Sequence, residues 1–135
     1  MKLITRKTDY AVSSLCYIAS KKYPVSVTEL CGELDMPYAF LRGILQQLQL
    51  GGILVSLKGK NGGFQLTRRP EDISLYDIMS IFGDGLENNE CVFKKLPCKK
   101  QKVCPLRKNL DRIKRTIKKE FETVNLKSLM VISKE

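Results

Sequence analysis

Apolar positions recur at helical spacing through the first third of the chain. With Thr8 read as the N-cap, Asp9 to Ser20 places Ala11, Val12, Leu15, Cys16, Ile18 and Ala19 on one broad face, which predicts a helix ending near Lys21 and Lys22. Ser26-Val27-Thr28-Glu29 has the capping-box pattern, in which a serine hydroxyl and a glutamate carboxylate satisfy each other's backbone amides. Val27, Leu30, Cys31 and Leu34 follow as the face of a short second helix. After a turn at Asp35-Met36-Pro37, the residues Phe40, Leu41, Ile44, Leu45 and Leu48 mark a third helix. Gly51-Gly52 stops it, because glycine can take the left-handed conformation that ends helices.

The period then falls from 3.6 towards 2. Ile53 to Leu57 and Gly63 to Thr67 are β-rich runs, separated by Lys58-Gly59-Lys60-Asn61-Gly62, whose Asn-Gly step is a hairpin signal. Two helices at a short turn followed by a hairpin predict a winged helix-turn-helix. Ser74-Leu75-Tyr76-Asp77 opens a fourth helix through Ile78 and Ile81 to Gly83. Residues 84–104 have no apolar period and read as a loop. From Pro105, the residues Leu106, Leu110, Ile113, Ile117, Phe121 and Val124 recur every three or four positions among lysines and arginines, a long amphipathic helix. A single apolar stripe of this kind suits packing against a symmetry mate. The expected architecture is mainly α with a small β-hairpin wing. It comprises a winged helix-turn-helix DNA-binding domain (1–83), a cysteine loop (84–104), and a dimerisation helix and tail (105–135).

At 135 residues the chain suits one core, and its 43% hydrophobic and 28% charged content belongs to a globular domain. No apolar run approaches the ~18 residues of a membrane span, and no secretory leader is visible, so the cytoplasm is the expected compartment. The balance of 24 Lys+Arg against 14 Asp+Glu, a formal +10, favours a polyanionic partner. Having no histidine removes the commonest general base and every Ser-His or Cys-His nucleophile pair, so an enzyme is not expected.

The second helix of a helix-turn-helix lies in the major groove with its N-terminal residues on base edges. Here that end carries Tyr38, Ala39 and Arg42, of which arginine can pair bidentately with guanine and tyrosine can donate to a phosphate. Lys58, Lys60 and Asn61 on the wing tip would reach a backbone or minor groove. The plain alternative is a solvated helix face and an ordinary exposed hairpin. The Gly59–Gly63 run superficially suggests a phosphate-binding glycine loop, but it joins two strands instead of opening a helix.

Five cysteines without a secretion signal point to free thiols or a metal site. Cys16 and Cys31 fall on apolar helical faces and read as core thiols. Cys91, Cys98 and Cys104 are spaced C-x6-C-x5-C in the polar loop, wider than the paired ligands of structural zinc. Between Lys94 and Lys119 lie 12 of the 24 Lys+Arg, with Asp111 the one acid. That field favours thiolates and offsets the charge of an iron-sulfur cluster. Three reactive or incidental cysteines in a basic loop remain the competing reading.

Met1-Lys2-Leu3 through Thr8-Asp9-Tyr10-Ala11, Pro24-Val25-Ser26, Gly51-Gly52-Ile53-Leu54, the Gly59-to-Phe64 wing and the three cysteines together resemble the Rrf-two family of bacterial transcription regulators. The resemblance covers nearly the whole chain. It implies a homodimeric winged-helix protein on a double-stranded DNA operator, with the stripe Leu106, Leu110, Ile113, Ile117 and Phe121 at the dimer interface. It also implies an iron-sulfur cluster (2Fe-2S or 4Fe-4S) on Cys91, Cys98 and Cys104. Where the IscR type of the family has a histidine as fourth ligand, this chain has Arg107. Where the NsrR type uses an N-terminal aspartate from the partner subunit, it has Asp9, whose plainer role is to complement the helix dipole. The first spacer between cysteines is one residue longer than in either type, and Arg42 replaces the discriminating glutamate of the IscR type.

The reading is therefore a sequence-specific regulator, of the repressor kind, whose DNA affinity responds to a cluster, with no membrane and no small-molecule substrate. A cluster-free sensor of thiol oxidation or of a small molecule on the same fold is one alternative. A basic scaffold that binds a partner is another.

Overall fold

The computed structural model describes residues 3–83 and 104–132. Its helices are α1 (Arg6–Ser20), α2 (Val27–Leu34), α3 (Tyr38–Leu50), α4 (Leu75–Ile81), α5 (Pro105–Thr123) and α6 (Leu126–Ile132). Strands β1 (Leu54–Leu57) and β2 (Gly63–Leu66) pair antiparallel, with Leu54 opposite Leu66 and Leu57 opposite Gly63. This is the mainly helical, winged architecture that the periodicity predicts.

The core forms where α1, α2 and α3 turn their apolar faces together. Ala11, Leu15 and Ile18 of α1, Leu30 of α2, and Leu41, Ile44, Leu45 and Leu48 of α3 are all buried, with Ile53 and Leu54 at the entry to β1 and Ile73 and Ile78 around α4. Tyr10 and Phe40 meet edge to face with ring centroids 5.5 Å apart, which fixes α3 against α1. Cys16 and Cys31 are half-buried against this core, and burial pushes the Cys16 thiol above its ordinary pKa, as expected for packing thiols.

Three local details differ from the sequence reading. The N-cap of α1 is Thr5, whose side chain accepts from the Thr8 amide, so the helix starts one turn early and Thr8 is buried within it. At α2 the Ser26 hydroxyl caps the Glu29 amide at 3.1 Å, but the Glu29 carboxylate turns to two tyrosines. The complete capping box belongs to α4, where Ser74 Oγ accepts from the Asp77 amide and Asp77 Oδ2 accepts from the Ser74 amide. In the hairpin, left-handed backbone is taken by Gly59 (φ 112°), not by the Asn61-Gly62 step, and the Gly62 amide closes the loop onto the Gly59 carbonyl at 3.0 Å.

The wing is tied to the helix-turn-helix through its own backbone. The Val25 amide donates to the Phe64 carbonyl at 3.0 Å and the Phe64 amide to the Val25 carbonyl at 2.8 Å, so the segment leading into α2 acts as a third strand. Gly63 (φ 157°) permits this approach, since a Cβ there would lie 2.5 Å from the Val25 carbonyl carbon. Any side chain at Gly63 would push the wing off α2.

The tail beyond α5 is also a helix. The Leu75 amide donates to Val124 and the Leu126 amide to the Ile73 carbonyl, at 2.7 and 2.9 Å, which clips the α5–α6 corner onto the strand-like segment before α4. Leu126 is completely buried, so the last turns of the chain close the same core that α1 opens. Leu126→Ala should therefore lower unfolding stability by about 2–5 kcal/mol, the range for deleting a fully buried leucine side chain. A denaturant midpoint equal to wild type would show that α6 does not belong to the core.

Candidate nucleic-acid interface

Burying one face of α3 leaves the other outside. Tyr38, Ala39 and Arg42 are all exposed, Tyr38 at 51%. The helix begins after Pro37 with no side-chain cap and no acid in its first turn, so its first amides and the positive end of its dipole face solvent. Such an end attracts phosphate. Lys58, Lys60 and Asn61 are exposed on the loop between β1 and β2. Among the described residues none of Arg42, Lys58 and Lys60 forms an ion pair, so their charge is available to an outside partner. The arginines after the wing differ: Arg69 Nε lies 3.1 Å from Asp72 Oδ2 and 3.5 Å from Glu71 Oε1, and Arg68 lies 3.9 Å from Asp77.

What holds α2 at its angle is a cluster that sequence reasoning missed. Tyr17 Oη donates to Glu29 Oε2 at 2.7 Å and Tyr23 Oη to the same oxygen at 3.1 Å, tying the end of α1 to the start of α2. The Lys21 ammonium sits 5.0 Å from the centre of the Tyr17 ring. Hydrogen bonding to the Glu29 carboxylate, with some burial and the negative charges of Glu29 and Glu33, pushes both phenols above the ordinary tyrosine range. The only sequence signal was a capping-box glutamate, and nothing local shows that tyrosines 12 and 6 residues earlier reach it.

The metal-ligand candidates are only partly placed. Asp9 is exposed in the first turn of α1, and its carboxylate has no hydrogen-bond or ion-pair partner among the described residues. Cys104 is the half-buried N-cap residue of α5, with a free thiol. Cys91 and Cys98 lie outside the described residues. Within those residues no three His, Cys, Asp or Glu side chains gather as a metal site. Arg107, which stands where the IscR type has a histidine, is half-buried on the first turn of α5.

The stripe on α5 is open at its N-terminal end. Leu106, Leu110 and Ile113 are exposed at 67%, 46% and 44%, while Ile117 and Phe121 are half-buried towards the end that meets α4. The Lys118 ammonium lies 5.0 Å from the Tyr76 ring centre at that contact.

This architecture defines a winged-helix DNA-binding protein. The sequence profile of the Rrf2 family, described as an iron-dependent transcriptional regulator, matches residues 4–131, and the chain belongs to that family. It is 28% identical over 130 residues to the HTH-type transcriptional regulator NsrR of Halalkalibacterium halodurans, covering 94% of this chain and 89% of the relative. Among solved structures, CymR, the global cysteine regulator of B. subtilis, superposes with a TM-score of 0.77 at 21% identity, covering 98% of both chains. IscR of T. potens gives 0.76 at 21% identity, covering 98% of this chain and 88% of the other. The chain is thus a DNA-binding transcription regulator from a family of regulators, not of enzymes. No helix among the described residues is long and apolar enough to cross a membrane.

The tyrosine pair generates a pH prediction. Because the folded-state pKa of Tyr17 is raised above the ~10 of an unfolded chain, its contribution to stability is complete below that pH and is lost as pH rises through the folded value. Glu29→Gln should move phenol ionisation, followed by phenolate absorbance, down towards ~10. It should also shrink the alkaline loss of stability. Superimposable titrations of variant and wild type would contradict the assigned cause.

Proposed function

We propose that this chain is a homodimeric, sequence-specific regulator that reads its operator with Tyr38, Ala39 and Arg42 of α3 and grips the backbone with Lys58, Lys60 and Asn61 of the wing. We further propose that an iron-sulfur cluster on Cys91, Cys98 and Cys104, with Asp9 of the partner subunit as fourth ligand, adjusts its DNA affinity. The observation that carries the DNA part is the exposed, acid-free start of α3, where Arg42 has no ion-pair partner among the described residues.

The donor set suits a cluster by its chemistry. Three thiols supply the soft ligands that iron-sulfur centres use. Two of the donors are described, and among the described residues the Cys104 thiol is in no disulfide and the Asp9 carboxylate has no hydrogen-bond or ion-pair partner. Arg107 cannot ligate, so a histidine-completed set is excluded. When bound, such a centre supplies a redox- and ligand-sensitive group on one labile corner. A carboxylate releases iron more readily than a thiolate, so Asp9 would set that lability. Holding Asp9 of one protomer to the cysteine segment of the other would fix the angle between two reading heads.

The dimer rests on the stripe. An apolar row exposed on one side of a long helix otherwise bearing charges gains most by pairing with its own copy. Ile113→Asp combined with Ile117→Asp should produce monomers with little operator affinity, because each introduces a charge into an apolar contact. Sedimentation showing an unchanged dimer would refute that interface.

A second reading has its own support. The superposing B. subtilis protein is a cysteine regulator, and the same three thiols could act through oxidation without iron. Strictly anaerobic purification followed by iron, sulfide and zinc analysis separates the two. On the cluster reading the protein is coloured, Cys98→Ala abolishes the colour and changes operator affinity about 5- to 150-fold, the usual span of an allosteric coupling, and Cys16→Ala keeps the colour. Colourless, iron-free protein whose operator affinity is full until the thiols are oxidised would establish the thiol reading in its place.

A further inference from the structure

The outer side of α3 holds more than its first turn. Leu41, Ile44, Leu45 and Leu48 are buried, and Ala39, Arg42, Gln46 and Gln49 are exposed between them at intervals of 3, 4 and 3 residues. That spacing lines them up as one ridge along the helix. Gln49 is committed within the fold, since its Nε2 lies 3.5 Å from Ser56 Oγ on β1. Gln46 stands in the middle of the ridge, and its amide has no hydrogen-bond partner among the described residues.

Beside it is a gap that packing does not require. Gly43 interrupts the interior of α3, where glycine is less favourable than alanine, yet beyond its chain neighbours and the adjoining backbone of its own helix no heavy atom lies within 4 Å of the place its Cβ would occupy. A glycine inside a helix, without a neighbour that needs the room, makes sense if the room serves something outside the chain. It flanks Arg42 directly and sits one turn before Gln46, with the small Ala39 one turn on the other side. A base edge approaching this part of the ridge would meet backbone instead of a side chain.

We propose that Gln46 is a second base-reading residue, selecting an adenine, and that Gly43 supplies the clearance that lets the middle of α3 reach the groove floor. A glutamine amide donates and accepts side by side, the complement of the N7 acceptor and N6 amine that adenine shows in the major groove. Arg42, one turn earlier, carries the five-donor fork that suits guanine. Four residues of helix advance about 6 Å, close to two base steps of about 3.4 Å, so the adenine lies within about two base pairs of the position read by Arg42. This inference rests on α3 being the reading helix, as proposed above.

The test exposes the full-length protein and the variants Arg42→Ala, Gln46→Ala, Gln46→Glu and Gly43→Ala to a pool of randomised duplex DNA and sequences the bound fraction. One position of the wild-type motif should lose its adenine preference about 5- to 150-fold in Gln46→Ala and move to cytosine in Gln46→Glu, since a carboxylate accepts from the cytosine amine. Arg42→Ala should relax a different, neighbouring position. Gly43→Ala should weaken the motif without lowering the melting temperature. If Arg42→Ala alters one position while the Gln46 variants alter none, or weaken all sequences alike as a phosphate contact would, the proposal fails and the reading helix stands. If neither residue changes any position, the reading-helix assignment fails with it.

Discussion

Everything outward-facing in this molecule depends on how the inner face of α3 is buried. Leu41, Ile44, Leu45 and Leu48 reach zero or near-zero exposure because α1, α2 and the entry to β1 close on them, with Ala11, Leu15, Ile18, Leu30 and Ile53 in the same core and Tyr10 edge-on to Phe40. Each fully buried leucine or isoleucine contributes about 1.5–3 kcal/mol, so rotating α3 by even one side-chain position would forfeit several such contributions. The helix is therefore held to one rotational setting. What it leaves exposed is fixed by subtraction.

Three ties carry that setting to the rest of the chain. Glu29, gripped by Tyr17 and Tyr23, holds α2 to α1. The Val25–Phe64 backbone pair holds the wing to the segment entering α2, at the distance that Gly63 allows. The Ile73–Leu126 and Val124–Leu75 bonds hold the α5–α6 corner to the start of α4. The last tie makes the exposed stripe of α5 part of the same mechanical unit as α3. On the proposed function, a change at Cys104, the N-cap residue of α5, or at a paired α5 would then reach α3 through packed elements.

The helix-turn-helix and wing were legible because their residues agree at every level: apolar period, glycine stops and a change of period all point to one architecture. Where the sequence misled, tertiary contacts outweighed local pattern. Thr8 looks like a cap, but a threonine one turn earlier does the capping once Thr8 is needed inside. Glu29 looks like the second half of a capping box, but two phenols reach it, one from α1 and one from the segment that follows it. The helix α6 has only seven residues, too few for periodicity to speak, and it exists because Leu126 has a pocket to fill. The hairpin loop takes its left-handed residue at Gly59, and β2 is paired to Val25 as well as to β1, a long-range contact that no dipeptide rule contains. Of the candidate site, the exposed α3 and wing residues could be read directly, whereas Asp9 entered only through resemblance to the family.

The account stands or falls on whether the exposed side of α3 lies against bases. A photo-crosslinking side chain placed at Ala39, with the same group at exposed Glu33 of α2 as control, can be activated on DNA that the protein selects from its own genome. The account predicts adducts to bases within the selected site from position 39 and none from position 33. Base adducts from position 33 with none from position 39 would contradict it.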